Sequence, residues 1–139
     1  MNYDTTDIAF YSKNLQTEGD YDLDAHIENG KVYRDFRLTD QYESPRQDAV
    51  NRIRTQKTDW RSHKWIGADL ELFVGEPNTR KTGDAISKNI MQTLIYDNRF
   101  DALDVDTRSV PTAPYTIENY TMIETNDGDE LVIKTPIEL

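Results

Sequence analysis

Carboxylates are the most frequent reactive side chains in this sequence, and three of them stand at alternate positions, Asp20, Asp22 and Asp24. The first ligands of an EF-hand calcium loop have this spacing, but such a loop also needs glycine at its sixth position and glutamate at its twelfth. The sequence has Ala25 and Lys31 there. We therefore expect no calcium site and interpret the three acids as the solvent-facing side of a strand.

Other catalytic and ligand-binding patterns are also incomplete. His26 and His63 lack the spacing of a metal-binding pair, and the chain has no cysteine and no G-x-S-x-G sequence. Residues 75–82 end in Lys81-Thr82 but lack the second glycine of a phosphate-binding P-loop. Glycoside hydrolysis needs one acid with a raised pKa and a second acid at a set distance, which the sequence does not identify. We predict no catalytic residue, no metal and no cofactor.

Charge is abundant and unevenly distributed. The 26 acidic and 16 basic residues give a net charge of −10, which opposes binding to nucleic acid or to anionic membranes. Residues 46–64 contain six basic and two acidic side chains, whereas residues 97–130 contain nine acidic and two basic ones. Two interpretations stay open: the two segments face one another within the fold, or the basic segment binds an acidic partner chain.

Length and composition indicate one soluble, intracellular domain over residues 1–139. The first residues lack the basic and apolar stretches of a signal peptide, and no apolar run approaches the ~20 residues of a membrane span. The absence of cysteine is compatible with a reducing compartment.

Turn and capping signals divide the chain into short strands and two main helices. Asn29-Gly30 predicts a hairpin turn, and Ser44-Pro45 predicts a helix start with serine as the N-cap. The predicted strands are 7–10, 20–27, 32–38, 101–107, 115–125 and 130–135, and the predicted helical segments are 45–57, 68–73 and 82–96.

The apolar pattern assigns some side chains to the interior. Ile86, Ile90 and Leu94 form one apolar stripe, so we expect the second main helix to be the central buried one. Leu103 is expected to point inward from its strand. Trp65 is expected in the core, while Trp60 is compatible with either core or interface.

Three features together suggest a family. An acidic strand and hairpin precede a helix containing residues 46–55, and residues 65–75 carry an aromatic residue followed by Gly-x-x-Leu. The central helix runs into Tyr96-Asp97-Asn98-Arg99-Phe100, before a strand and a C-terminal hairpin. From about residue 19 to 134 the chain resembles the baseplate-wedge, sheath-initiator family of contractile-tailed phages, the lysozyme-like baseplate protein family, which has relatives in contractile secretion machines.

The turn after the central helix differs from the usual family pattern. Many members have Glu-Pro-Arg and an apolar residue there, whereas this chain has Asp97-Asn98-Arg99-Phe100. The arginine and the apolar residue match, the acid is shortened, and the proline is absent. Arg99 has two interpretations: it contacts another subunit, or it caps its own helix and pairs with Asp97.

The resemblance implies an α+β fold: a small mixed sheet with an N-terminal hairpin, two main helices and a C-terminal β-hairpin. It also implies a structural virion protein of the tail baseplate, assembled in the host cytoplasm, that joins wedge proteins and initiates contractile sheath assembly. The implied partners are baseplate wedge proteins, tail sheath proteins and tail tube proteins in a sixfold, multi-copy assembly, without nucleic acid or membrane. The alternatives are a small cell-wall-acting, lysozyme-like hydrolase and a free-standing acidic adaptor.

The C-terminal hairpin is the second place where the resemblance implies contact with another chain. Sheath subunits of that family interlock through exchanged strands, and the initiator offers a matching sheet. The other interpretation is a hairpin that only closes the domain's own sheet. The residues expected to bind partners are Asp97, Asn98, Arg99, Phe100, Tyr120, Leu131, Val132 and Ile133.

Overall fold

The structure is a computed structural model that describes residues 8, 25–28, 31–36, 39 and 43–139. The chain divides into two compact units, Asn2–Asp48 and Ala49–Leu139. Helix α1 (Glu43–Arg54) contains the boundary between them. The assignment of residues 1–139 to one domain stays a prediction.

The first unit contains an antiparallel hairpin. Strand β1 (Ala25–Glu28) pairs with strand β2 (Lys31–Phe36), with a register irregularity between Ala25 and Ile27. This confirms the predicted N-terminal hairpin. The predicted strand at 7–10, apart from residue 8, and the acidic stretch 20–24 lie outside the described residues.

Both main helices begin two residues earlier than predicted. Helix α1 starts at Glu43, so Ser44 lies inside the first turn and is not the N-cap. Pro45 is tolerated there because the amides of the first turn have no acceptor within the helix. Helix α2 (Arg80–Ile95) begins after Thr79, whose side chain accepts a hydrogen bond from the Thr82 amide at 3.3 Å.

The second unit is built on a three-stranded antiparallel sheet. Strands β3 (Val105–Ala113), β4 (Thr116–Glu124) and β5 (Glu130–Glu138) lie in the order β3-β4-β5, and a 3-10 helix (Leu70–Phe73) precedes α2. Gly128, with φ of 82°, supplies the left-handed residue of the turn between β4 and β5. The α+β class, with two main helices and a C-terminal hairpin, is therefore confirmed; the strand pairs among the described residues are all antiparallel, whereas a mixed sheet was expected.

Helix α2 packs on β3 and β4 and provides the centre of the core. Ile86, Ile90 and Leu94 are fully buried, as their spacing predicted. The sheet contributes alternate residues from the face toward α2, because successive side chains of a strand point to opposite faces. Its fully buried members are Ile117, Asn119, Thr121, Ile123 and Ile133.

Part of this interface is polar. The Asn119 side-chain amide donates to the hydroxyls of Ser109 (3.0 Å) and Ser87 (3.3 Å), which are themselves 2.7 Å apart. The Thr121 hydroxyl donates to Asn119 Oδ1 at 2.8 Å, and the Thr107 hydroxyl donates to the Ser87 carbonyl at 3.1 Å. These five residues, which we call the polar layer, connect α2 to β3 and β4.

Two assignments to the interior are wrong. The strand predicted from residue 101 begins at Val105, because Asp101 starts a turn in which its carboxylate accepts a hydrogen bond of 2.9 Å from the Leu103 amide. Leu103 is consequently 92% exposed. Trp65 was expected in the core but is 68% exposed, since it lies in the exposed connection between α1 and the 3-10 helix.

Candidate functional site

The turn that follows α2 is held by an ion pair with α1. The Arg52 guanidinium donates to both carboxylate oxygens of Asp97, each at 2.8 Å, and to the Thr93 carbonyl at 3.2 Å. The guanidinium carbon also lies 5.5 Å from the Tyr96 ring centroid and 5.7 Å from that of Phe100. A cation is thus placed at the carbonyl end of α2, where the helix dipole favours positive charge.

Sequence reasoning missed the role of Arg52. It assigned the helix-capping alternative to Arg99, the nearest basic residue in the chain, whereas Arg52 lies 41 residues before Thr93. The pair between Arg52 and Asp97 joins the basic segment 46–64 to the acidic segment 97–130, so the two segments meet at this point. The observation in the sequence that pointed to it was the opposite charge of these segments.

The pKa of Asp97 is lowered by this environment. Burial alone would raise it, but the hydrogen bonds from the Arg52 side chain and the Arg99 amide outweigh burial and hold the pKa below its ordinary value of 3.8. The ionised Asp97 carboxylate therefore contributes to the stability of the folded state.

Asn98, Arg99 and Phe100 have different positions in the turn. Asn98 is exposed and has a left-handed φ of 60°, which asparagine tolerates better than most residues. The Arg99 amide donates to Asp97 Oδ1 at 3.2 Å, and the Arg99 guanidinium carbon lies 5.9 Å from the Phe100 ring centroid. Phe100 is fully buried and anchors the turn in the core. The accessible part of the turn consists of Asp97, Asn98 and Arg99.

The expected binding residues of the C-terminal hairpin lie on both faces of the sheet. Tyr120 and Val132 point away from α2, and Val132 is 49% exposed. Leu131 and Ile133 lie on the α2 side, where Ile133 is fully buried. Only Tyr120 and Val132 are therefore placed to offer side chains at the outer face.

The outer face carries a linked polar group. The Tyr120 hydroxyl donates to Glu118 at 2.8 Å, and Lys134 Nζ lies 3.1 Å from the other Glu118 carboxylate oxygen. The hydrogen bond from Tyr120, and then that from Lys134, lowers the pKa of Glu118 below 4.5. The same carboxylate raises the pKa values of Tyr120 and Lys134. These three side chains are therefore linked across the outer face.

The backbone groups at the outward edge of β5 can be assigned residue by residue. The Leu139 amide donates to the Tyr115 carbonyl at 2.8 Å, and the Thr125 amide donates to the Asp129 carbonyl at 2.7 Å. Both pairs continue the β4–β5 register. Because bonded and non-bonded pairs alternate in an antiparallel ladder, odd-numbered residues of β5 bond to β4. Its even-numbered residues direct their backbone groups outward, where no described residue pairs with them.

Other binding features are limited. Among the described residues, no three histidine, aspartate or glutamate side chains group to hold a metal ion. In the same part of the chain, no helix is both long and apolar enough to cross a membrane. Comparison with protein families, curated proteins and solved structures finds no match to this chain.

Proposed function

We propose that this protein is a structural component of a contractile-tail baseplate that joins wedge proteins and initiates assembly of the sheath. It acts without catalysis, in the virion baseplate, beside wedge, sheath and tube proteins. The order of its elements supports this: hairpin, helix, short helical segment, helix, strand and C-terminal hairpin. This is the order on which the resemblance rests. The outward edge of β5, with which no described residue pairs, supplies a means of attaching another chain.

The outward-facing edge of β5 is the single observation that carries the proposal. No described residue pairs with the N–H and C=O groups of residues 130, 132 and 134, so a strand from another subunit would add to the sheet there as its fourth strand. Pro136 lies at an outward-facing position, where the missing N–H costs no bond to β4. The binding stretch is therefore the part of β5 before Pro136.

A proline at residue 132 tests the edge. Val132→Pro removes an outward N–H but no bond to β4, whereas Val132→Ala keeps the N–H and removes only side-chain atoms. In a host lacking the wild-type gene, we expect Val132→Pro to give baseplates and tubes without sheath, and Val132→Ala to give normal sheath, in electron micrographs. Circular dichroism should show both variants folded. Normal sheath with folded Val132→Pro would refute strand addition.

Deleting the hairpin is a less specific test. Truncation after residue 126 removes Ile133 and Ile137, which are 0% and 5% exposed. The truncated chain would lose part of its core, so a sheath defect would not distinguish an absent binding edge from an unfolded protein.

The accessible turn after α2 provides the second proposed contact. Arg99→Ala leaves the Arg52–Asp97 pair in place, so we expect a nearly unchanged melting temperature together with loss of wedge assembly. Loss of stability with normal assembly would instead assign Arg99 an internal role.

A lytic assay addresses the alternative enzymatic function. We expect the purified protein to release no reducing sugar from peptidoglycan. Release that is abolished by one aspartate or glutamate substitution would overturn the structural role.

A further inference from the structure

The connection between α1 and the 3-10 helix exposes two tryptophans. Trp60 is 57% exposed and Trp65 is 68% exposed. All residues from 58 to 65 are exposed. We call residues 56–66 the tryptophan loop. Tryptophan carries the largest apolar surface of any side chain and is enriched among residues that dominate protein interfaces.

The base of this loop is fixed. The Ala68 amide donates to the Thr55 carbonyl at 3.1 Å, and the buried Gly67 amide donates to the Thr93 hydroxyl of α2 at 2.8 Å. Gly67 has φ of 134°, and a side chain there would overlap the backbone of Gln56. A loop closed in this way presents its side chains with little ordering cost on binding.

The tryptophan loop is also locally basic. It contains Lys57, Arg61 and Lys64 against the single acid Asp59, although the whole chain has a net charge of −10. Three cations in an acidic protein do not form the extended basic surface that holds a nucleic-acid backbone. Arginine next to exposed tryptophan is instead typical of a protein-binding surface. The positive charge of the tryptophan loop favours an acidic partner.

An acidic surface of complementary character lies at one end of the sheet. The Glu124 amide donates to the Asp104 carbonyl at 2.8 Å, which brings the turn before β3 beside the β4–β5 turn. Leu103, 92% exposed, lies in that first turn. We call this surface the acidic end; its members are Asp101, Leu103, Glu124, Asp129 and Glu130.

The acidic end contains a repulsion that a cation would relieve. Glu124 and Glu130 are directly opposite each other on β4 and β5, and both are exposed. Like charges at such positions destabilise a strand pair. A basic side chain placed between them would convert this repulsion into two attractions.

We propose that the tryptophan loop of one copy binds the acidic end of a second copy of this chain. Trp60 and Trp65 cover Leu103, while Arg61 and Lys64 neutralise the glutamates. Each copy carries both surfaces, so two copies can exchange the contact, or successive copies can continue it into a ring. This self-association does not depend on the proposed baseplate role and can be measured on the purified chain.

Sedimentation equilibrium of the full-length protein is the direct test. The measurement belongs near 0.15 M salt, where a Debye length of about 8 Å screens the repulsion between the net charges more than it screens contacting pairs. We expect the average mass to rise with concentration. We expect Trp60→Ser with Trp65→Ser to weaken association at least about tenfold, because each tryptophan anchors the contact. A monomer at every concentration up to about 1 mM, the range of weak association, would overturn the proposal.

Exchanging charges identifies the surfaces. Arg61→Glu with Lys64→Glu should abolish association, as should Glu124→Lys with Glu130→Lys, while an equimolar mixture of the two double variants should associate again. The control for the first is Arg80→Glu with Lys81→Glu, which makes the same charge change at exposed positions of α2 and should leave association intact.

Three results would contradict this assignment: unchanged association in both charge-reversed proteins, equal loss in the control, or no recovery in the mixture. A labelled DNA duplex tests the other class of partner by fluorescence anisotropy. DNA binding that the tryptophan substitutions abolish, in a protein that stays monomeric, would also overturn the proposal.

Discussion

Replacing Asp97 with alanine removes a carboxylate that is paired with the nearly buried Arg52 cation. The Arg52 side chain is 7% exposed and the Asp97 side chain 35%, and two hydrogen bonds of 2.8 Å join them. In the variant, the Arg52 guanidinium keeps its hydrogen bond to the Thr93 carbonyl but loses the Asp97 carboxylate as a counter-charge. The folded state then holds a poorly hydrated charge that the unfolded chain exposes to water.

The expected cost lies between two limits. Removing one partner of a buried ion pair costs about 3–5 kcal/mol, and an exposed pair contributes only about 0.2–1 kcal/mol. Asp97 is about one third exposed, so water can reach the space that its carboxylate leaves. We expect Asp97→Ala to lower the free energy of unfolding by ~2–3 kcal/mol. Arg52→Met should cost ~1–2 kcal/mol, because it leaves no buried cation and the remaining carboxylate can be hydrated.

Urea unfolding of both single variants and of the double variant measures these effects. The double variant should lose less stability than the sum of the single variants, since either change already breaks the pair. Asp106→Ala is the matched control: its bond to Arg108 is 3.1 Å long, but the two side chains are 55% and 73% exposed. We expect the control to cost less than about 1 kcal/mol. Asp97→Ala no more destabilising than the control, or purely additive effects, would refute the reasoning.

Further outcomes follow from burial, backbone geometry and charge. The stabilising effect of Asp97 should be complete above its ordinary pKa of 3.8 and should fade as the pH falls from there through its lower pKa in the folded state. The difference in unfolding free energy between wild type and Asp97→Asn should therefore narrow in acid. A difference that stays constant with pH would contradict this. In urea melts, Gly67→Ala should be more destabilising than Gly75→Ala by ~1–3 kcal/mol. Both glycines have positive φ, but only at Gly67 would a Cβ lie 2.5 Å from backbone atoms. Equal losses of stability would argue against this overlap. Ile90→Asp should prevent folding, because Ile90 is fully buried and an unpaired buried charge costs several kcal/mol. The control Gln92→Asp, at an exposed position of the same helix, should give a normal cooperative melt. A melt like that of the wild type for Ile90→Asp would place α2 outside the core.

Short-range sequence patterns were sufficient to predict the helix and the turn that depend on neighbouring residues alone. The spacing of Ile86, Ile90 and Leu94 predicted both α2 and its buried face. The Asp127-Gly128 turn joins β4 to β5 as expected, because glycine supplies the positive φ that the turn needs.

Features that depend on competition or distance were not predictable in the same way. The alternation from residue 101 to 105 suggests a strand, but the Asp101 carboxylate satisfies the Leu103 amide and stabilises a turn instead. The Arg52–Asp97 pair joins residues 45 positions apart, which no local spacing reveals. Trp65 lies in the loop that the hydrogen bond between Thr55 and Ala68 closes, and no local pattern reveals that this loop is exposed.

The polar layer between α2 and the sheet determines which β3 residue lies opposite which β4 residue. Moving β3 by one position would bring the Arg108 or Val110 side chain to the face that Ser109 occupies. Moving it by two positions in one direction would put Pro111, which has no hydroxyl, in the place of Ser109. Either shift would take away the Ser109 hydroxyl, which accepts a hydrogen bond of 3.0 Å from the buried Asn119 amide, and losing the partner of a buried polar group is costly.

Isoleucine side chains can exchange neighbours with little penalty, but the hydroxyl and amide groups of the polar layer cannot. Alignment of β3 with the rest of the sheet is therefore encoded chemically, in addition to being favoured by burial. A misaligned β3 would therefore be less stable than the native alignment, because the buried polar layer would lose hydrogen bonds.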